Sequence, residues 1–194
     1  MIQIQQLHLS FGEKTVLKDF SLSIPKQGIT ALSGPSGSGK TTLLRCIAGL
    51  QSPDSGSITG ISPSETAILF QENRLLPWRT VQEHLTDVLP AHRRSEWKFL
   101  LDLMDLTAEK DRYPIQLSGG MNRRLALARC LALDAKLYLL DEPFTGIDLP
   151  RIRLLMDYLR DLPVPVLLST HEPEVLALAH RVIHLEGPPL TILK

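Results

Sequence analysis

The sequence predicts an α/β fold in which a mostly parallel sheet carries a small antiparallel β part at its N-terminal end and an α-helical insertion in its middle. Three observations predict it. Short apolar runs recur along the chain, at Ile29-Thr30-Ala31-Leu32-Ser33, Thr66-Ala67-Ile68-Leu69-Phe70, Leu137 to Leu140, Val164 to Ser169 and Val182 to Leu185. Helical patterns separate most of them, and buried strands alternating with helices mean a parallel sheet. Before Gly28, apolar and polar residues instead alternate at Ile2 and Ile4, Leu7 and Leu9, Val16-Leu17, and Phe20, Leu22 and Ile24, which is the period of antiparallel strands. From about residue 72 to residue 133 the pattern is helical.

Each element has a local reason. Gly28 introduces the strand ending at Ser33, which runs straight into the glycine-rich stretch Gly34-Pro35-Ser36-Gly37-Ser38-Gly39-Lys40-Thr41, and an apolar-faced helix follows from Thr41 to Leu50. Residues 51 to 63 are rich in Ser, Gly and Pro and hold only a loop with a short hairpin strand around Ser57-Ile58. In the insertion, Thr80 and Glu83 form a capping box before Val81, Leu85 and Val88, and Ser95 precedes a second helix with Leu100, Leu101 and Met104 inward. The last inserted helix begins at Ser118 and places Leu125, Ala128, Leu131 and Ala132 on one face. Helices from Pro150 to Arg160 and from Glu172 to Ala179 complete the alternation.

Composition narrows the function classes. With 194 residues the chain fits a single domain, residues 1–194, with the helical part as a subdomain. Lys plus Arg balance Asp plus Glu, 21 against 21, so no long-range field draws in nucleic acid or an anionic membrane. No nucleic-acid partner is expected. Cys46 and Cys130 lie far apart in apolar helical patterns without a CxxC or histidine companion, which reads as reduced core cysteines. The N-terminus lacks the basic start and apolar run of an export signal, and nowhere do apolar residues continue for the ~18 positions of a spanning helix. A membrane role then has to come through a partner.

The chemistry concentrates at the carboxyl ends of strands, where open α/β sheets bind ligands. The 34–41 stretch fits the phosphate-binding loop pattern at every fixed position, in the strand–loop–helix context that such a loop requires. The core is thus that of a P-loop NTPase. Backbone N–H groups from Ser36 to Thr41 form an anion cradle and Gly37 and Gly39 allow close approach; Gly34, Pro35, Ser38 and Thr42 complete the nucleotide-binding set. Lys40 balances charge on the β and γ phosphates, and the Thr41 hydroxyl suits Mg²⁺. Asp141 and Glu142 follow an apolar strand, where two acids need cationic partners. A magnesium nucleotide supplies them: Asp141 holds the metal through its water shell, and Glu142 orients and deprotonates the attacking water. Gln71 after Phe70 suits Mg²⁺ and its water, and His171 after Thr170 suits the γ phosphate, although each taken alone also reads as an ordinary polar residue at a strand end. His8, His84, His92, His180 and His184 lack ligand spacing and read as surface or packed residues. Leu117-Ser118-Gly119-Gly120-Met121 is a second anion loop at a helix start without a lysine of its own, which suggests a site completed by a phosphate held elsewhere.

These motifs, in this order across essentially the whole chain, resemble the ATP-binding cassette family. The resemblance implies an ATPase using ATP and Mg²⁺, working as a head-to-tail pair in which Ser118, Gly119 and Gly120 cap the ATP held on the second subunit's phosphate loop. It implies that Phe11 stacks on adenine, although by residue type Phe11 fits a core equally. Thr145-Gly146-Ile147-Asp148 takes the place of the loop that crosses the dimer, with Asp148 kept and the rest altered; Met121 stands where the usual signature has Gln. The segment from Leu69 to Trp78, with the Met after the second glycine, is similar to the ATPase subunits of importers for nitrate, taurine, sulfonates and thiamine precursors. That implies transmembrane permease subunits and a substrate-binding protein as partners, and a place on the cytoplasmic face of the membrane. Leu75, Leu76 and Trp78 fit either a groove for a permease helix or the core of the helical subdomain. The sequence ends soon after its last expected strand, leaving no room in it for a C-terminal regulatory domain. A soluble cassette of cofactor assembly is the alternative function; a small-metabolite kinase would leave the second glycine loop and Glu142 unexplained.

Overall fold

Two sheets share the protein, of which the computed structural model describes residues 1–193. The smaller is antiparallel, in the order β2-β1-β4, built from β1 (Ile2–Phe11), β2 (Lys14–Ile24) and β4 (Ser55–Thr59). The larger has the order β5-β6-β7-β3-β8-β9, from β3 (Ile29–Ser33), β5 (Thr66–Leu69), β6 (Leu137–Asp141), β7 (Val166–Ser169), β8 (Arg181–Glu186) and β9 (Thr191–Ile192). From β5 through β8 every pairing is parallel. The antiparallel β9 on the outer side of β8 is an element that the sequence patterns did not reveal.

Side-chain parity explains the layers. In β6, Tyr138 and Leu140 face one core while Leu137 and Leu139 face another; in β7, Val166 and Leu168 part from Leu167 in the same way. One face is covered by α1 (Lys40–Ile47) and the antiparallel sheet, which contribute Leu43, Leu44, Ile47, Ile4, Leu7 and Leu22. Residues of α5 (Leu149–Asp161), α6 (Pro173–Leu178) and the helical insertion pack on the other. Both cysteines are buried and unpaired, and burial pushes their thiols up, to about 11 for Cys46 and about 12 for Cys130.

The insertion between β5 and β6 contains α2 (Val81–Thr86), α3 (Trp97–Leu103) and α4 (Gly119–Leu131) with three short 3₁₀ turns. Its apolar residues, among them Val81, Leu85, Leu100, Leu101, Met104 and Leu125, are continuous with Tyr138, Leu140 and Leu168 of the sheet, so it has no separate core. The capping box at α2 is present: Glu83 N donates to Thr80 Oγ1 at 3.2 Å, and Thr80 N donates to Glu83 Oε2 at 2.7 Å. Ser95 is not a cap. It lies inside a 3₁₀ segment, Ala91–Glu96, that begins after Pro90, and α3 has Glu96 at its N-cap without a side-chain bond. Of the three apolar residues before α2, Leu75 packs on the core, whereas Leu76 and Trp78 are exposed. Among the described residues, no helix is long and apolar enough to cross a membrane.

His84 fixes the loop ahead of α2. Its Nδ1–H donates to Thr80 O at 2.7 Å, while its Nε2 accepts from Leu76 N at 2.9 Å, an arrangement that requires the neutral ring. Burial lowers its pKa from the ordinary 6.5, and Arg129 adds to the shift, against the Thr80 carbonyl, Asp87 and Glu83. A depressed histidine pKa means that the unfolded chain takes up the proton first, so this contribution is complete above the unfolded value and is lost as pH falls through the folded one. Between about pH 7.5 and about pH 5, the melting temperature of the native chain should therefore drop more than that of His84→Gln. Parallel calorimetric slopes for the two proteins would contradict this.

Candidate active site

The phosphate loop owes its shape to Gly39, which precedes α1 with φ of 115°. A Cβ there would stand 2.9 Å from Val16 Cγ1, so both the left-handed backbone and the contact with β2 call for glycine. The Lys40 amine donates to the carbonyls of Gly34 and Pro35, both at 2.8 Å, and lies 3.5 Å from the buried Ser38 Oγ. Burial lowers its pKa, while Glu142 and Asp141 pull it back up. The loop, the start of α1 and the end of β1 border a cavity of about 310 Å³ lined by Phe11, Ser36, Gly37, Gly39, Lys40, Thr41, Thr42, Gln71, Asp141 and Glu142. Most of the sequence-predicted nucleotide set thus meets in one place. Phe11 is 51% exposed at its rim, which removes the core reading of that residue.

Asp141, almost fully buried, has both carboxylate oxygens engaged. Oδ2 accepts from Thr41 Oγ1 at 2.7 Å and Oδ1 from Ser169 Oγ at 2.5 Å. The next residue leaves the strand in a left-handed conformation, with φ of 47° at Glu142, a placement that costs a non-glycine residue about 1–2 kcal/mol and persists only when the surroundings hold it. Glu142 N donates to both the carbonyl and the Oγ of Ser169, each at 3.1 Å. Its Oε1 lies 3.2 Å from His171 Nδ1, and its Oε2 is buried with no hydrogen-bond partner among the described residues. An acceptor held this way can take a proton from a group presented to it.

Glu142 also borders a second cleft, of about 610 Å³, together with Ser36, Gln71, Gly119, Gly120, Gly146 and His171. The exposed His171 and the two signature glycines therefore face this cleft and not the first cavity. Gly120 lies so close to the Thr145-Gly146-Ile147-Asp148 loop that a Cβ would come within 2.7 Å of Gly146 O. Ser118 and Asp148 line neither space and cap helices: Ser118 Oγ accepts from Met121 N at 3.2 Å, and Asp148 Oδ1 from Arg151 N at 3.2 Å. Met121 packs partly buried against the apolar core, which accounts for a thioether at that position.

Two residues of the site escaped the sequence reading. Ser169, fully buried at the end of β7, joins Asp141 to the Glu142 amide. Arg123, on α4, reaches the carbonyls of Phe70, Gln71, Asp141 and Glu142. A polar residue closing an apolar strand and a basic one on an apolar-faced helix are the only sequence signals for them.

Residues 17–145 match the profile of a family described as ABC transporter. This chain belongs to the ABC transporter family. Similar proteins include an aliphatic sulfonates import ATP-binding protein, SsuB 2, of Rhodococcus jostii (strain RHA1), 41% identical over 197 residues that cover 98% of this chain and 81% of the relative. SsuB of Granulibacter bethesdensis (strain ATCC BAA-1260 / CGDNIH1) is 41% identical over 192 residues, 96% of this chain and 80% of that one. Among solved structures, the ATP-binding cassette MJ0796, dimeric in a post-hydrolysis state bound to ADP and Pi, superposes with a TM-score of 0.82 at 26% identity, covering 96% of this chain and 94% of MJ0796. An ATP binding subunit of an ABC transporter shares the fold with a TM-score of 0.87 at 24% identity, over 96% of this chain and 86% of that one. As an ABC transporter cassette the chain is an ATPase that energises import, and the expected fold class is the one observed.

Ser169→Ala would remove a donor to the buried Asp141 and an acceptor for Glu142 N. A loss of about 1–2 kcal/mol should result, lowering the melting temperature of a chain of this size by roughly 3–6 °C. An unchanged thermal transition would show that these bonds contribute nothing net.

Proposed function

We propose that this ABC transporter ATPase works at the cavity under Phe11, with Lys40, Thr41, Gln71, Asp141 and Glu142 as its working residues. The observation that carries the reading is the convergence of these five side chains, from the ends of β5 and β6 and the start of α1, on one cavity bordered by an aromatic ring. Phe11 supplies a face for adenine. The amides of Ser36 to Thr41, aided by the N-terminal end of α1, bind the phosphates, with the Lys40 amine between the β and γ groups.

The donor set fits Mg²⁺. Among the described residues no group of three or more His, Cys, Asp or Glu is gathered for a metal; instead a hydroxyl, a carboxylate and an amide border the cavity, the oxygen set suited to a cation that keeps phosphate and water ligands. Thr41, Asp141 and Gln71 would hold the ion, and when bound it supplies charge neutralisation across the β and γ phosphates. Glu142 orients water and takes its proton at its carboxylate, while His171, 3.2 Å from Oε1, is the imidazole donor for the γ phosphate.

Gly119 and Gly120, at the N-terminal end of α4 and free of any lysine, complete the site on a second copy of this chain, where their amides and the Ser118 hydroxyl approach the γ phosphate. Ser118 leaves its capping bond with Met121 N in that state, and Asp148 stands beside the dimer crossing. The dimeric MJ0796 cassette supports this arrangement. The further partners are transmembrane permease subunits, which hold this chain on the cytoplasmic face of the membrane, and a substrate-binding protein. The relatives' names support an organosulfonate as cargo, carried by the permease. Leu76 and Trp78, exposed beside the Gln71 loop, offer the permease an apolar contact.

Glu142→Gln should bind ATP normally, cut phosphate release by about 100-fold or more, and accumulate as an ATP-bound dimer in light scattering; near-normal turnover would refute the assignment of the base. Ser118→Arg should abolish that dimer while fluorescent nucleotide still binds the isolated chain. A dimer of undiminished stability would rule out the signature loop as the second half of the site.

A further inference from the structure

Arg123 is only 4% exposed, yet it has no carboxylate oxygen among its hydrogen-bond partners. Its Nη1 donates to the carbonyls of Phe70 at 2.7 Å and Gln71 at 3.1 Å and to Asn73 Oδ1 at 3.3 Å. Nη2 donates to the carbonyls of Asp141 at 2.5 Å and Glu142 at 2.7 Å. The Nε–H has no partner among the described residues. A buried cation is costly unless its donors are satisfied, and here the compensation comes from two strand exits at once, that of β5 on one nitrogen and that of β6 on the other. Only a planar fork with diverging donors serves both; an ammonium is a single point of charge on a flexible stem.

The second exit is the strained one. Glu142 sits in the left-handed region, its N–H held by Ser169 and its carbonyl by Arg123, so the backbone that aims its carboxylate is fixed on both sides. We propose that Arg123 is a positioning residue that ties the Gln71 segment to Glu142, so that a shift of residues 71–73 is transmitted through the guanidinium to the aim of the Glu142 carboxylate. This rests on the reading of Glu142 as the base. It gives the segment bordering the two exposed apolar residues, Leu76 and Trp78, a direct mechanical route to the reacting end of the cavity. Lys40 and Thr41 make no bond to Arg123 itself, and the phosphate loop meets that route only at Asp141, whose carboxylate accepts from Thr41 Oγ1.

The test uses the full chain with Arg123→Lys and Arg123→Gln, each alone and combined with Glu142→Gln. Phosphate release, MgADP affinity and melting temperature are measured for every protein. For Arg123→Lys, kcat should fall by about 10- to 100-fold, the cost of a misaimed catalytic group, with KM for ATP and MgADP affinity within about twofold of native. Combined with Glu142→Gln, the same substitution should change residual turnover by less than about threefold, because both act through one step. Arg123→Gln should behave alike. A normal kcat in Arg123→Lys beside an inert Glu142→Gln overturns the coupling alone. So does a full multiplicative loss in the double variant, or a parallel collapse of MgADP affinity. Failure of both Arg123 variants to fold assigns the residue to the fold and also overturns it. Near-normal turnover in Glu142→Gln by itself removes the base reading, and the inference with it.

Discussion

Parallel pairing of β5, β6, β7 and β3 is the constraint on which the rest of the structure depends. Its register sets Leu69 beside Leu140, Leu140 beside Leu168, and Ser169 beside both Asp141 and Leu32, so four strands finish level with one another. The segments leaving those four strand ends then lie along one edge: the phosphate loop, Gln71, Glu142 and His171. The same pairing imposes the remaining architecture, because parallel neighbours need a crossover for every step and leave both faces of the sheet to be covered. Two apolar layers of opposite parity answer that demand. A slip of one residue in β6 would exchange those layers and turn Asp141 away from Thr41 and Ser169.

Four charged side chains crowd this edge, and their environments separate their tasks. Lys40 is drawn down by burial but keeps Asp141 and Glu142 within electrostatic reach, which preserves a cation where phosphate charge is to be met. Arg123 feels the same opposing influences from burial and the two acids, yet spends its donors on carbonyls and so acts on backbone position. Asp141 has both oxygens committed to hydroxyls, whereas Glu142 keeps one oxygen uncommitted. Adjacent carboxylates at one strand end thus differ in what they are able to accept.

The sequence displayed most of this plan, and the exceptions share a physical cause. Strand and helix periods, the loop from Gly34 to Thr41, the caps at Thr80 and Ser118 and the strand ends at Gln71, Asp141 and His171 are local patterns, readable from neighbouring residues. Ser95 resembled a cap by residue type, but Pro90 had already begun a tighter turn upstream. The two residues of β9 form too short a run to show a period. Arg123 and Ser169 act on groups 18 to 53 and 27 to 28 positions away, distances that only the folded sheet closes. Phe11 was ambiguous by type, because only the fold decides whether a ring at a strand end finds solvent or core.

The backbone at Glu142 carries one more implication. Glycine would occupy its left-handed conformation without the penalty a side chain incurs, so this position is one where the chain could gain stability by discarding its proposed base. Selection for robustness and selection for turnover pull there in opposite directions. A library screened for thermal resistance alone would tend to drift toward glycine at this site, and a hardened cassette obtained that way would be a silent one.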